Sequence, residues 1–218
     1  MHGLALSDGS IMPMLNNPTA RRAVSGLVDP PARLLLRLRV SPDAVTLVGT
    51  LGAVCCAILF IARGSFVVGV LGVIVFAVAD LLDGTMARIK GTSGPWGNFL
   101  DASLDRVADG AIFGSVAFWA ASNDQMWLTA GALIALVAGQ VTSYTKARAE
   151  AVGADANVGL VERAERLMAI LAALFLAGLG VPWVLDIVVW ALAVLGIATV
   201  IQRVIHVRKQ LKSRSENP

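Results

Sequence analysis

Four aspartates carry the chemistry of this sequence. Asp80 and Asp83 are three residues apart and Asp101 and Asp105 four apart, spacings that put each pair on one face of a helix. Both pairs lie in or beside apolar stretches and flank one connection, Arg88 to Trp96. An aspartate at the centre of a membrane helix costs about 2.5 to 3.5 kcal/mol on translocon scales, so four of them in this setting need compensating partners. Two helices joined by that connection can bring all four carboxylates together where the bilayer meets the cytoplasm. Anions crowded into a partly desolvated pocket repel one another or take up protons, and divalent cations remove that conflict. Ligation by oxygen alone favours Mg²⁺ or Mn²⁺ over zinc; His2 and His206 lie far away along the chain. Gly84 and Gly97 leave room for a ligand or a neighbouring helix, and Arg88, one turn beyond Gly84, is placed to meet a phosphate. Each feature alone also has a structural reading, since glycines pack helices and an arginine near a helix end snorkels to the interface.

The elements that must position these groups are membrane helices. Of 218 residues, 56% are hydrophobic and 15% charged, with a mean hydropathy of +0.73, too apolar for an ordinary soluble domain. Six spans of roughly 20 residues each would use most of the chain, leaving room for one domain. Ala44 to Ala62 is an uncharged first span. After Arg63, Gly64 and Ser65, a second helix starts in the apolar stretch Phe66 to Ala79 and continues through Asp80 and Asp83 past Gly84. Further helices are expected over Gly97 to Ala121, Met126 to Lys146, Glu162 to Leu179 and Trp183 to Ile205. The fold class is thus an all-α integral membrane protein, six transmembrane helices preceded by a juxtamembrane amphipathic helix. Residues 1–17 are expected to be disordered, 18–40 to form the juxtamembrane helix, 41–206 the six-helix domain and 207–218 a basic cytoplasmic tail.

Within 18–40, Arg21, Arg22, Arg33, Arg37 and Arg39 alternate with Val24, Leu27 and Leu34 around Pro30 and Pro31. This composition suits a broken amphipathic helix on an anionic leaflet; a solvated basic linker is the alternative. Cys55 and Cys56 are adjacent in an apolar run and read as packing residues. The N-terminus has no signal-peptide pattern. Neither a fixed-period repeat nor an inverted pair of broken spans of the transporter kind stands out. Basic residues test the topology. With the N-terminus inside, the external loops are 63–65, 122–125 and 180–182, and Arg63 is their only lysine or arginine. The excess of basic residues on the other side places both termini and the carboxylates at the cytoplasmic face of the cell membrane.

Read as a string, Asp80-x2-Asp83-Gly84-x2-Ala87-Arg88-x8-Gly97-x3-Asp101-x3-Asp105 resembles the signature of the CDP-alcohol phosphotransferase family, matched at every fixed position. The resemblance implies that Asp80, Asp83, Asp101 and Asp105 hold two metal ions, Mg²⁺ with Mn²⁺ able to substitute, and that Asp105 also takes a proton from the acceptor hydroxyl. Asp109, one turn further, lies outside the signature and reads as a hydrogen-bonded structural residue. In the family the donor nucleotide contacts a Pro-Asn-x-x-Thr element at the first span; here it is Pro42, Asp43, Ala44, Val45 and Thr46, with Asp in place of Asn. Gly84 and Arg88 would be the motif contacts to nucleotide and phosphates. Ser93 and Gly94 occupy the region where relatives carry a hydroxyl residue. The chemistry implied is attack of an alcohol oxygen on the phosphorus bearing diacylglycerol, with CMP leaving.

The acceptor must be read from other residues. Lys146, Arg148, Arg163, Arg166 and Arg203 cluster at helix ends on the cytoplasmic side, which suits a phosphorylated acceptor, although positive-inside topology would also place basic residues there. The stretches 143–150 and 161–166 resemble the actinobacterial phosphatidylinositol phosphate synthases of the same family. By position, that resemblance implies that Ser143, Lys146, Arg166 and Arg203 line a pocket for inositol 1-phosphate. Glycerol 3-phosphate, in a phosphatidylglycerol phosphate synthase, is the second acceptor considered. The partners implied are CDP-diacylglycerol, inositol 1-phosphate, membrane lipids and a second copy in a homodimer, with no nucleic acid. A cation channel or transporter is the reading from another class; it accounts for the intramembrane acids but not for Arg88 or the full signature.

Overall fold

The computed structural model describes residues 18–91 and 94–216, with side-chain surroundings described outside 18–27, 79–81 and 215–216. Its described residues form seven α-helices: α1 (Pro18–Arg37), α2 (Pro42–Leu59), α3 (Phe66–Lys90), α4 (Pro95–Ser122), α5 (Met126–Ala151), α6 (Arg163–Gly178) and α7 (Val184–Glu216), with a single 3₁₀ turn at Ile61–Arg63. The segment expected to be disordered, 1–17, lies outside the described residues.

Local sequence sets the helix ends. Ser41 caps α2, its hydroxyl accepting from the Ala44 N–H at 3.2 Å, with Pro42 as the first helical residue, a position where a missing N–H costs nothing. Gly91 ends α3 in the left-handed conformation, φ 70°, which a residue with a Cβ adopts only at a cost. Pro95 then opens α4, so only residues 91–94 separate the two helices that carry the aspartates. Glu162 and Glu165 form a reciprocal capping box at the start of α6.

The helices pack as a bundle in which α2 lies against α3 and α4, α5 against α4 and α7, and α6 against α3 and α7, with α1 laid on α3. Its core is formed by Phe113, Ile112 and Val116 of α4, Ile170 and Leu174 of α6, Leu128 of α5, Val70 and Val73 of α3 and Val189 of α7. Small residues let backbones approach: a Cβ on Gly131 would lie 3.0 Å from Val189. The outside is as apolar as the inside. Val75 is 68% exposed, Val194 60% and Phe118 63%, an arrangement that water penalises and hydrocarbon does not.

Among the described residues, four stretches are long and apolar enough to cross a bilayer: Pro42–Arg63, Phe66–Lys90, Met126–Ala151 and Val184–Arg214. Six were expected. The difference has two physical causes: α4 carries Asp101, Asp105, Arg106 and Asp109, and α6 has 16 residues. Two further expectations differ in detail. Pro30 and Pro31 lie inside a continuous α1, and α7 runs on to Glu216, so the segment expected as a separate basic tail continues the last helix. It is held there by contacts to the preceding loop: Gln210 Nε2 donates to the Asp155 carbonyl at 2.9 Å and Arg214 Nη1 to the Gly153 carbonyl at 2.6 Å.

Candidate active site

A cavity of about 680 Å³ opens between α2, α3, α4 and the start of α6. The carboxylates Asp83, Asp101 and Asp105 line it, from the two helices that the connection 91–94 joins. The side chain of Asp80 is outside the described set; its backbone sits in α3, one turn before Asp83. Thr46 reaches across from α2 and its hydroxyl donates to the Asp83 carboxylate, orienting that side chain. Asp83 is 9% exposed, a burial an aspartate tolerates only with such partners.

The expected donor-binding residues divide. Asp43, Thr46, Gly84 and Gly94 line the cavity with the carboxylates. Asp43 is fixed by Trp96, whose indole N–H donates to it at 2.9 Å. A Cβ at Gly84 would meet nothing within 4 Å, so its floor is open space. Ala44 and Val45 do not line the cavity: the Ala44 N–H is spent on the Ser41 cap, and Val45 packs with Ala32 and Met86. Arg88 folds back on its own helix, Nε donating to the Gly84 carbonyl at 3.2 Å and Nη2 to Thr85 Oγ1 at 3.1 Å, and is exposed beside the cavity. Ser93 lies outside the described residues.

A second layer of charge lies behind Asp105. Arg163 lines the cavity and bridges two acids, with Nη2 2.8 Å from Asp105 and Nε 3.4 Å from Asp109. Arg106 lies 3.9 Å from Asp105 and 3.8 Å from Asp109 and donates to the Ser143 hydroxyl. Asp109 is buried and hydrogen-bonded, as its expected structural reading requires. Arg106, Arg163 and Arg166 around Asp105 and Asp109 leave a net positive charge next to Asp105, and Arg106 Nε is buried without a hydrogen-bond acceptor among the described residues. Buried N–H groups without acceptors are rare in folded proteins and call for an anionic or polar occupant.

Of the residues expected to hold the acceptor, Ser143 and Arg166 join this layer and Lys146 sits one turn beyond Ser143 on α5, half-buried. Arg166 packs over Gly139, where a Cβ would lie 2.8 Å from its guanidinium carbon. Arg203 does something else: 3% exposed, it donates to the Thr142 and Val158 carbonyls, both at 2.8 Å, and ties the loop before α6 to α5. None of these four lines the cavity with the aspartates. Sequence reading missed Arg106, Arg163 and Trp96 as site residues. Arg163 was visible only as one basic residue among several, and nothing in the local pattern pairs Trp96 with Asp43, 53 residues away.

The donor set suits a hard divalent cation, because every carboxylate lining the cavity offers oxygen and, among the described residues, no histidine or cysteine lines it. Among the described residues, no three acids converge into a ligand shell by themselves; Arg163 neutralises Asp105 instead. An all-oxygen acidic cavity at the end of membrane helices, beside a signature of eight fixed residues, has a counterpart among known proteins. A family model described as CDP-alcohol phosphatidyltransferase matches residues 39–204.

The chain belongs to this family. Within it, the sequence is 48% identical over 202 residues to a phosphatidylinositol phosphate synthase of Streptomyces avermitilis, spanning 89% of this chain and 83% of that protein. A protein of the same name from Corynebacterium glutamicum is 41% identical over 191 residues, 87% of each chain. Two crystal structures of the Mycobacterium tuberculosis phosphatidylinositol phosphate synthase, both 39% identical, share the fold. One, with CDP-DAG bound, superposes with a TM-score of 0.79 over 82% of this chain and 92% of that one. The other, in complex with manganese and citrate, gives 0.78 over 82% and 87%. This phosphatidyltransferase is therefore a multi-pass membrane protein by its apolar helices and its relatives.

Proposed function

We infer that this chain is a phosphatidylinositol phosphate synthase, transferring the phosphatidyl group of CDP-diacylglycerol to inositol 1-phosphate and releasing CMP. The observation that carries the reading is the pairing of an acidic, oxygen-only cavity with a buried arginine layer directly behind Asp105, in a chain 48% identical to a synthase of that name.

The residues divide the work as follows. Asp105 takes the proton of the acceptor hydroxyl as its oxygen attacks the phosphorus bearing diacylglycerol. Asp43, set by Trp96, and Thr46, Gly84 and Gly94 hold the nucleotide, and Arg88 turns from its own helix to the pyrophosphate. Asp80, Asp83, Asp101 and Asp105 would hold two divalent ions, Mg²⁺ with Mn²⁺ able to substitute, which when bound neutralise the pyrophosphate and the leaving CMP. The manganese complex of a relative supports a divalent metal at this kind of site. Arg163, which lines the cavity, presents its guanidinium to the acceptor phosphate, with Arg106 behind it; Ser143, Lys146 and Arg166 complete that pocket, with Arg203 holding its far wall.

The topology we favour keeps six spans, α2 to α7. The charged α4 and the short α6 supply the fully buried Phe113, Ile112, Ile170 and Leu174, so their neighbours shield them from lipid and relax the demand for length and apolarity. Positive-inside asymmetry puts the cavity and both termini in the cytoplasm, and family resemblance suggests a homodimer. An acceptor panel decides the chemistry. Purified protein with CDP-diacylglycerol and Mg²⁺ should release CMP fastest with inositol 1-phosphate, more slowly with free inositol and serine. Faster release with glycerol 3-phosphate would make it a phosphatidylglycerol phosphate synthase instead.

A further inference from the structure

The seam between α5 and α7 carries a groove that the transfer reaction does not use. Its inner part, about 440 Å³, is lined by aliphatic residues of both helices, among them Leu133, Val137 and Ile201. Its outer part, about 580 Å³, lies on the same two helix faces, because positions 137, 141, 144 and 148 on α5 and 197, 201, 204, 208 and 211 on α7 recur at helical spacing. The two parts follow one another along the seam, the inner one apolar and the outer one basic at its end, where Arg148, Arg208 and Lys212 line it with Tyr144. Among the described residues, no carboxylate lines either part. Arg148 and Arg208 are exposed and have no ion-pair partner among the described residues.

Length identifies the occupant. From Leu133 to Arg148 the α5 backbone rises about 22 Å, at 1.5 Å per residue. One leaflet of a bilayer is about 15 Å of hydrocarbon plus some 5 to 7 Å of headgroup. The apolar run matches one leaflet of acyl chain, and the cations fall at the depth of the phosphate. The basic end is at the same end of the bundle as the aspartates, since α5 leads from it into the loop that opens α6. We propose that the α5–α7 groove is a binding site for one anionic phospholipid of the surrounding bilayer, its phosphate held by Arg148 and Arg208 and one acyl chain lying against Val137 and Ile201. A zwitterionic lipid fills the same apolar length, but its ammonium group offsets the attraction of the basic end.

The experiment is lipid retention by native mass spectrometry, with the full-length protein titrated in detergent with dioleoyl phosphatidylglycerol or dioleoyl phosphatidylcholine. Wild type should hold one phosphatidylglycerol per protomer with at least tenfold preference over phosphatidylcholine. The double variant Arg148→Gln/Arg208→Gln should bring that preference to within about twofold. Val137→Trp, which fills the apolar length and leaves the cations in place, should lower retention of both lipids. Equal retention of the two lipids by wild type, or an unchanged preference in the double variant, overturns the proposal. So does a shift from dimer to monomer in the Val137→Trp spectrum, which would make the groove a seat for a second copy of this chain. Size-exclusion profiles matching wild type show that the variants are folded.

Discussion

Arg166 Nη2 lies 2.8 Å from Asp109 Oδ2, and both side chains are at least 95% buried. This pair joins α4 to α6 one turn behind Asp105, at the place where the cavity meets the bundle core. A buried ion pair adds little over a well-packed apolar pair, but removing one partner strands the other charge and costs about 3 to 5 kcal/mol. Asp109→Asn should therefore lower the unfolding midpoint in detergent markedly, followed by intrinsic fluorescence. An unchanged midpoint would show that Asp105 balances the arginine layer without Asp109.

Asp105→Asn keeps the shape of the side chain and removes its basicity. Loss of a general base costs about 10²- to 10⁴-fold in rate, and loss of a metal ligand adds to it, so turnover should fall at least a hundredfold with the unfolding midpoint close to wild type. Asp109→Asn, assayed well below its midpoint, should lose far less. Equal losses in the two variants would place the wrong turn of α4 at the cavity.

Divalent ions are required because carboxylates from α3 and α4 share one cavity. EDTA should stop CMP release, and Mg²⁺ or Mn²⁺ should restore it. Turnover in thoroughly chelated protein would rule out the metal-dependent mechanism.

Thr46 acts through Asp83. Removing a hydrogen bond that orients a metal ligand typically weakens metal affinity 10- to 100-fold, so Thr46→Val should raise the Mg²⁺ concentration for half-maximal activity by about that factor while leaving the plateau rate within a fewfold of wild type. An unchanged Mg²⁺ dependence would make the Thr46 contact purely structural.

Arg163 faces the cavity, whereas Arg203 faces backbone carbonyls. A charge-assisted bond to phosphate is worth about 1.5 to 3 kcal/mol, or roughly 10- to 150-fold in affinity. Arg163→Gln should raise KM for inositol 1-phosphate by that order and leave KM for CDP-diacylglycerol unchanged, with Arg88→Gln doing the reverse. Saturation curves with one substrate varied at a time read both. If Arg163→Gln moves only the CDP-lipid curve, the acceptor phosphate lies elsewhere.

The helix order and the pairing of aspartates were legible because both are local. Hydropathy and period mark the helices, and Gly91 and Pro95 mark the short connection between α3 and α4. What joins distant parts of the chain was not legible. The Arg163 bridge to Asp105 and Asp109 and the Trp96 bond to Asp43 depend on how helices rotate about their axes. Arg166 and Arg203 look alike in sequence, two basic residues at helix ends, yet one pairs with Asp109 beside the cavity and the other holds two carbonyls and Glu162. The length of α7 was misread for a different reason: a charged, water-facing helix end has no apolar periodicity to announce it, and its order comes from Gln210 and Arg214 gripping the loop at 153–155.

That grip has a practical side for anyone handling the protein. The last three turns of α7 brace the loop that leads into the arginine layer, so shortening the C-terminus to Arg208 would free the loop and loosen Arg163 and Arg166 with it. Affinity handles and fluorescent fusions belong after Pro218 with a flexible spacer, and a protease that clips between Arg208 and Arg214 should inactivate a preparation whose membrane-embedded part is still whole.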